Sequence, residues 1–150
     1  MKFFAMAGWS MDPKLEMTRQ WIMRADDDLR LAELIQKDND PAYWAIAFHA
    51  QQCAEKALKG VLTFHDIRAG KTHNIENLLK LSSPVVDGLE KLNEQAKTLS
   101  VYAVDSRYPV PHGDISNNEA IEAIETARKI FECVLNALPD FESLPQEENG

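Results

Sequence analysis

Cysteine is scarce in this chain: Cys53 and Cys133 are the only two in 150 residues, far apart and both in apolar stretches. With no CxxC pair there is no disulfide framework and no thiolate zinc knuckle, and a reducing, cytoplasmic setting is expected. Positive charge is also short. Sixteen Lys and Arg face 24 Asp and Glu, a net charge of −8, so the whole-molecule field does not attract nucleic acid, and any phosphate site must be local. No apolar run approaches the ~18 residues of a membrane span. The opening "MKFFAMAGWS" carries one basic residue and a short apolar run before the charged "MDPKLEMTRQ", so a secretory signal is not expected. Alternating strand patterns and internal repeats are missing too, which argues against sheet and solenoid architectures.

What is present is helical periodicity in a chain long enough to bury a core. The apolar and charged fractions, 45% and 27%, are those of an ordinary globular domain. A first helix is expected over about 17–37, with Trp21, Ala25, Leu29, Ala32 and Ile35 inward and "RADDD" on the polar side. Asp40 and Pro41 read as the cap and first position of a second helix, over about 42–65. Its inward side is read as Trp44, Ala47 or Phe48, Gln51, Ala54, Leu58, Val61 and Leu62, and its many alanines keep it slim. A loop turning on Gly70 leads to a short third helix, "NIENLLKLS". Pro84 opens a fourth, over about 85–103, and Asn117 or Asn118 starts a fifth, over about 117–138. Short connections imply antiparallel neighbours, hence an all-α, up-and-down bundle of four to five helices. Residues 1–16 read as a leader, 17–138 as the domain and 139–150 as an acidic tail.

Four motifs could carry chemistry. "AGKTH" imitates the end of a phosphate-binding loop, but His65 stands where the first glycine is needed and no strand precedes it. His49 and Cys53 are one helical turn apart, a metal-ligand spacing. No second pair supports them, so a half-buried histidine beside a core cysteine is the simpler reading and no metal or cofactor is expected. Gln51, Gln52, Glu55, Lys56 and Lys59 form a polar flank on the second helix, accounted for as a solvated face with a Glu55–Lys59 pair. The fourth motif, "DSRYPVPHGD", sets Arg107 and His112 five positions apart around two prolines. A guanidinium can clamp a phosphate and an imidazole can move protons near neutral pH, which is what metal-free RNA cleavage needs. On the residues alone the segment reads as an inter-helix loop. Run as polyproline, it would hold the two Cα atoms roughly 15 Å apart, bridgeable only by a turn or a second subunit.

"AFHAQQCAEKALKGVL", "KTHNIENLLKL" and "YAVDSRYP", in that order, resemble the HEPN domain (higher eukaryotes and prokaryotes nucleotide-binding) over about residues 17–138. The resemblance implies a HEPN-like helical bundle, commonly a homodimer. Many such domains are metal-independent endoribonucleases marked by arginine, four to six residues, then histidine, with the pair in a cleft across the dimer. Carried over, Arg107 binds phosphate and His112 is general base or acid. Gln52, Lys56, Lys59, Tyr102, Asp105 and Tyr108 are the implied nucleotide- or RNA-binding residues. The expected function is therefore a ribonuclease of toxin–antitoxin type. The alternative is a non-catalytic nucleotide-binding module or partner subunit of a nucleotidyltransferase, since the "RYP" segment is similar to small stand-alone members often paired with one.

Overall fold

The computed structural model describes residues 12–103 and 114–141. They form five α-helices and no strand: α1 (Pro13–Gln36), α2 (Tyr43–Phe64), α3 (Ile75–Ser82), α4 (Asn93–Ser100) and α5 (Asn117–Ala137). Single 3₁₀ turns, Leu89–Leu92 and Val101–Ala103, flank α4.

α2 is the central element, packed along α1 on one side and α5 on another, with α3 and α4 closing the remainder. Its alanines explain how one helix can serve so many neighbours. Ala47, Ala50, Ala54 and Ala57 are all fully buried, so backbones approach closely with little side-chain bulk between them. α1 and α2 run antiparallel. Lys14 near the start of α1 reaches Asp66 just past the end of α2, at 3.2 Å, while Asp28, farther along α1, meets His49 and Lys56. The two helices also meet tightly at Gly60, where an added Cβ would lie 3.0 Å from Ile22 Cδ1 and 3.1 Å from Trp21 Cβ. Gly60→Ala is therefore expected to lower stability by about 1–2 kcal/mol, overpacking exceeding the ~1 kcal/mol that alanine gains in helix propensity. Chemical denaturation measures this, and a more stable variant would contradict the tight contact.

Local chemistry moves several expected boundaries. α1 begins at Pro13, four residues early, because the Asp12 side chain accepts from Lys14 N at 2.8 Å and proline suits the first helical position. α2 begins at Tyr43; Asp40 is not its cap, since Ala42 holds that position without a side-chain bond. The expected fourth helix starts late: residues 85–88 are turn and bend, and the helical stretch runs only from Leu89. Gly88 adopts φ +89°, a left-handed geometry that a helix does not continue through, yet Val86, Leu89, Leu92, Ala96 and Leu99 are all buried as the periodicity requires. Ser116, not an asparagine, caps α5, accepting from Glu119 N at 3.1 Å. The turn at Gly70 is as read, with φ +68°.

Burial also corrects three faces. On α1 Ile22 is fully buried beside Ala25 and Ala32, whereas Trp21 is only half-buried, and Asp28 in "RADDD" is buried rather than solvated. Trp44 is 51% exposed. Exposure on that side of α2 falls through half-buried Phe48 to fully buried Gln51, where the α2–α3 loop covers the helix. Phe141, in the expected tail, is buried in the core.

Candidate functional site

The polar flank of α2 is not a solvated face. Gln51 is fully buried and the Glu55 side chain only 6% exposed. Each of two buried carboxylates holds one histidine and one lysine. Asp28, contributed by α1, places Oδ1 2.9 Å from His49 Nδ1 and Oδ2 2.5 Å from Lys56 Nζ. Glu55, on α2, places Oε1 3.0 Å from His73 Nδ1 and Oε2 3.3 Å from Lys59 Nζ. A carboxylate only accepts, so in both imidazoles Nδ1 carries the donated hydrogen and Nε2 is left for another partner. The neutral tautomer is thus fixed at both sites.

Gln51 ties the second cluster together. Its Nε2 donates to Glu55 Oε1 and to the His73 carbonyl, both at 3.3 Å, and its Oε1 accepts from Gln52 Nε2 at 2.7 Å. The loop between α2 and α3 is pinned by these bonds at the level of residues 51–55, which is why a glutamine can be fully buried there. Lys59 also sits 5.8 Å from the centre of the Trp21 ring, within cation–π range.

The expected Gln52, Lys56 and Lys59 therefore lie together, one to two turns apart on α2, each bonded within the protein. His49, His73, Asp28 and Glu55 join them there, and were not expected as site residues. Tyr102 is elsewhere. It lines a cavity of about 300 Å³ between α4 and α5 with Glu119, Glu122, Glu125 and Lys129. Burial, then the charges of Glu119 and Glu122 and a hydrogen bond to Glu119, push its phenol up. Three glutamates against one lysine make this cavity repel phosphate. Arg107, His112, Asp105 and Tyr108 lie outside the described residues.

Cys53, one turn from His49, is fully buried. Burial, with Asp28 and Asp26 adding to it, pushes its thiol far up, so it stays protonated and is no thiolate ligand. Among the described residues no group of three or more His, Cys, Asp or Glu could hold a metal ion. Cys133 is half-buried, its thiol raised by burial and by Glu132. In the folded protein, a thiol reagent at pH 8 is therefore expected to label Cys133 slowly and Cys53 not at all, with both reacting in denaturant. Mass spectrometry of the labelled protein checks the order, and fast labelling of Cys53 would show that α2 opens.

The chain matches the HEPN domain family over residues 18–138. It is similar to "Putative toxin MJ1304" of Methanocaldococcus jannaschii, 27% identical over 146 residues, which span 88% of this chain and 95% of that protein. It is also similar to the crystal structure of ST0689, an archaeal HEPN homologue. There the TM-score is 0.62 and the identity 28%, covering 79% of this chain and 95% of the other. No described helix is long and apolar enough to cross a membrane. Sequence match and shared helical fold extend over nearly all of the described residues, and the chain belongs to the HEPN domain family.

Proposed function

We propose that the protein is a metal-independent endoribonuclease of toxin–antitoxin type, acting in the cytoplasm through Arg107 and His112. The observation that carries this reading is the Arg107-x4-His112 spacing in a chain of this family. A relative named as a toxin supports it. In the reaction His112 takes the proton of a ribose 2′-hydroxyl, whose oxygen attacks the adjacent phosphorus. The 5′-oxygen leaves and takes up a proton, giving a 2′,3′-cyclic phosphate and a 5′-hydroxyl without consuming water. Arg107 clamps the phosphate oxygens as negative charge crowds onto them. Two copies of the chain form the cleft, so that arginine and histidine need not converge within one loop. The test is incubation of the full chain with single-stranded RNA in EDTA, with the ends read by mass spectrometry. Cyclic phosphate ends support the reading, whereas no cleavage, or cleavage abolished by EDTA, overturns it.

The acidic surface favours a second reading, a non-catalytic nucleotide-binding or partner subunit of a nucleotidyltransferase. A net charge of −8 and a glutamate-lined cavity suit docking to a basic protein surface better than drawing in RNA. Nucleotide binding by calorimetry, or co-purification with such an enzyme, without any RNA cleavage would select it.

A further inference from the structure

The cavity between α4 and α5 has a floor and a rim of different character. Leu99 and Tyr102 from the α4 side, with Ala123 and Thr126 from α5, are buried and form the floor. Glu119, Glu122 and Glu125 stand exposed on the rim, with Lys129 farther along α5. None of these four charges forms an ion pair among the described residues. The carboxylates of Asp26, Asp28, Glu33 and Glu55, by contrast, are all paired. Three glutamates and one lysine leave the rim at −2. Glu119 lies in the first turn of α5, where a carboxylate complements the helix dipole. Glu122 and Glu125 lie beyond that turn, and the dipole does not account for them.

The floor carries an unsatisfied group. Thr126 is 7% exposed, and its hydroxyl has no hydrogen-bond partner among the described residues. Helical hydroxyls elsewhere in the fold do find one. Those of Thr18, Thr63, Ser82 and Ser100 each donate to the carbonyl four residues back. A buried hydroxyl left without a partner is unfavourable, and a polar ligand seated on the floor would satisfy it. Burial, with the charges of Glu119 and Glu122, pushes the Tyr102 phenol up, so it stays neutral and leaves its ring to the floor. At about 300 Å³ the cavity is at the small end of ligand sites, with room for one long side chain. Among the described residues no such group of carboxylates could hold a metal ion. The charge suits an extended organic cation instead.

We propose that this cavity is a docking site for an arginine side chain presented by a basic segment of a partner protein. A guanidinium carries five donors in a planar fork. It can bond carboxylates on two sides, meet the Thr126 hydroxyl and lie against the Tyr102 ring, while its methylene stem covers Leu99 and Ala123. An ammonium is a compact, strongly hydrated charge without such a plane. One guanidinium leaves the rim at −1, which favours a second basic residue beside the arginine. A second copy of the chain is a poorer occupant, because two molecules at −8 repel each other. The proposal rests on the partner-subunit reading above only in that a basic protein is the ligand, and it is independent of RNA cleavage.

The test is an NMR titration of the isotope-labelled full chain with a capped hexapeptide, Gly-Ser-Arg-Lys-Ser-Gly, and with versions carrying citrulline or lysine in place of the arginine. Citrulline keeps the shape and removes the charge. The arginine peptide is expected to shift the amide signals of Leu99, Tyr102, Ala123 and Thr126, and to bind about tenfold tighter than either other peptide. The double variant Glu122→Gln, Glu125→Gln should weaken binding about tenfold, as for two partly exposed ion pairs. Asp38→Asn with Asp40→Asn makes the same change in net charge away from the cavity, and should alter binding by less than about twofold. Thr126→Val should weaken binding about tenfold without lowering Tm, since the hydroxyl it removes has no bond within the fold to lose. If that variant melts early, the exposed glutamate pair decides alone. Equal binding of the three peptides, or an equal loss in the Asp38, Asp40 control, means simple attraction to an acidic chain and overturns the proposal. So does a smaller sedimenting mass of the Glu122, Glu125 variant, because a second copy would then be filling the cavity. Arginine-specific binding without co-purification of a nucleotidyltransferase keeps the site and discards only that enzyme as its partner. RNA cleavage without arginine-specific binding leaves the ribonuclease reading standing and discards the site.

Discussion

His112→Ala is expected to slow RNA cleavage by about 10²–10⁴-fold, the range that a positioned general acid or base contributes. The change removes the group that takes the 2′-hydroxyl proton or hands one to the leaving 5′-oxygen, and no other imidazole can replace it without the same reach. Arg107→Ala is expected to slow cleavage by about 10²–10³-fold, as for loss of one preorganised donor to a developing oxyanion. Arg107→Lys keeps the charge but not the two-pronged fork, so it should recover only part of that loss. If the two residues act on one phosphate, the double variant should be no slower than about the worse single change, because groups that act as a unit are not additive. Initial rates on a labelled RNA in EDTA provide all four numbers. Wild-type rates in His112→Ala would falsify the catalytic assignment and leave Arg107 as, at most, a binding residue.

This expectation draws on the part of the sequence hardest to interpret without relatives. Arg107 and His112 are conspicuous by spacing alone, yet a five-residue separation around two prolines fits a plain loop equally well. Family membership is what separates the two readings. The helices are a different matter. The apolar spacing of α1, α2 and α5 and the alanine run of α2 follow from packing rules that act within a few turns, so they were legible, with caps misplaced by one to four residues. The fourth helix was legible in its buried positions but not in its late start, because the apolar spacing continues back across Gly88 to Val86.

The carboxylate clusters were not legible for a physical reason. Asp28 and Glu55 are letters that normally mark a solvated face, and nothing local says otherwise. Asp28 meets His49 21 positions away, and Glu55 meets His73 18 positions away. Only tertiary packing makes these carboxylates buried and paired. One local hint was present: two adjoining glutamines, Gln51 and Gln52, beside an otherwise apolar run, which a solvated face explains poorly. Lys56 and Lys59 were picked out through the family resemblance, which named neither carboxylate that anchors them.

Those anchors are where the fold is most exposed to a single change. Glu55→Ala is expected to destabilise the protein by on the order of 3 kcal/mol, a fall of about 6–12 °C in Tm for a chain of this length. The deletion leaves Lys59, largely buried against Trp21, without its counter-charge, and Gln51 Nε2 with only the His73 carbonyl. His73 contributes little to the loss because water can reach it. Glu55→Gln removes the charge but can still accept from Gln51 or His73, so it should lose only about 1 kcal/mol. Asp66→Ala is the contrast. Its partner Lys14 and Asp66 itself are exposed, and a surface pair of this kind is worth about 0–1 kcal/mol. The ordering Glu55→Ala, then Glu55→Gln, then Asp66→Ala is what denaturant melts should return. The alanine variant should also become more trypsin-sensitive at Lys71, since Glu55 holds both His73 of the α2–α3 loop and the Gln51 that bonds its backbone. Equal, small effects at Glu55 and Asp66 would mean that the buried carboxylate is solvated in solution and that the Lys59 and His73 it holds have no fixed frame.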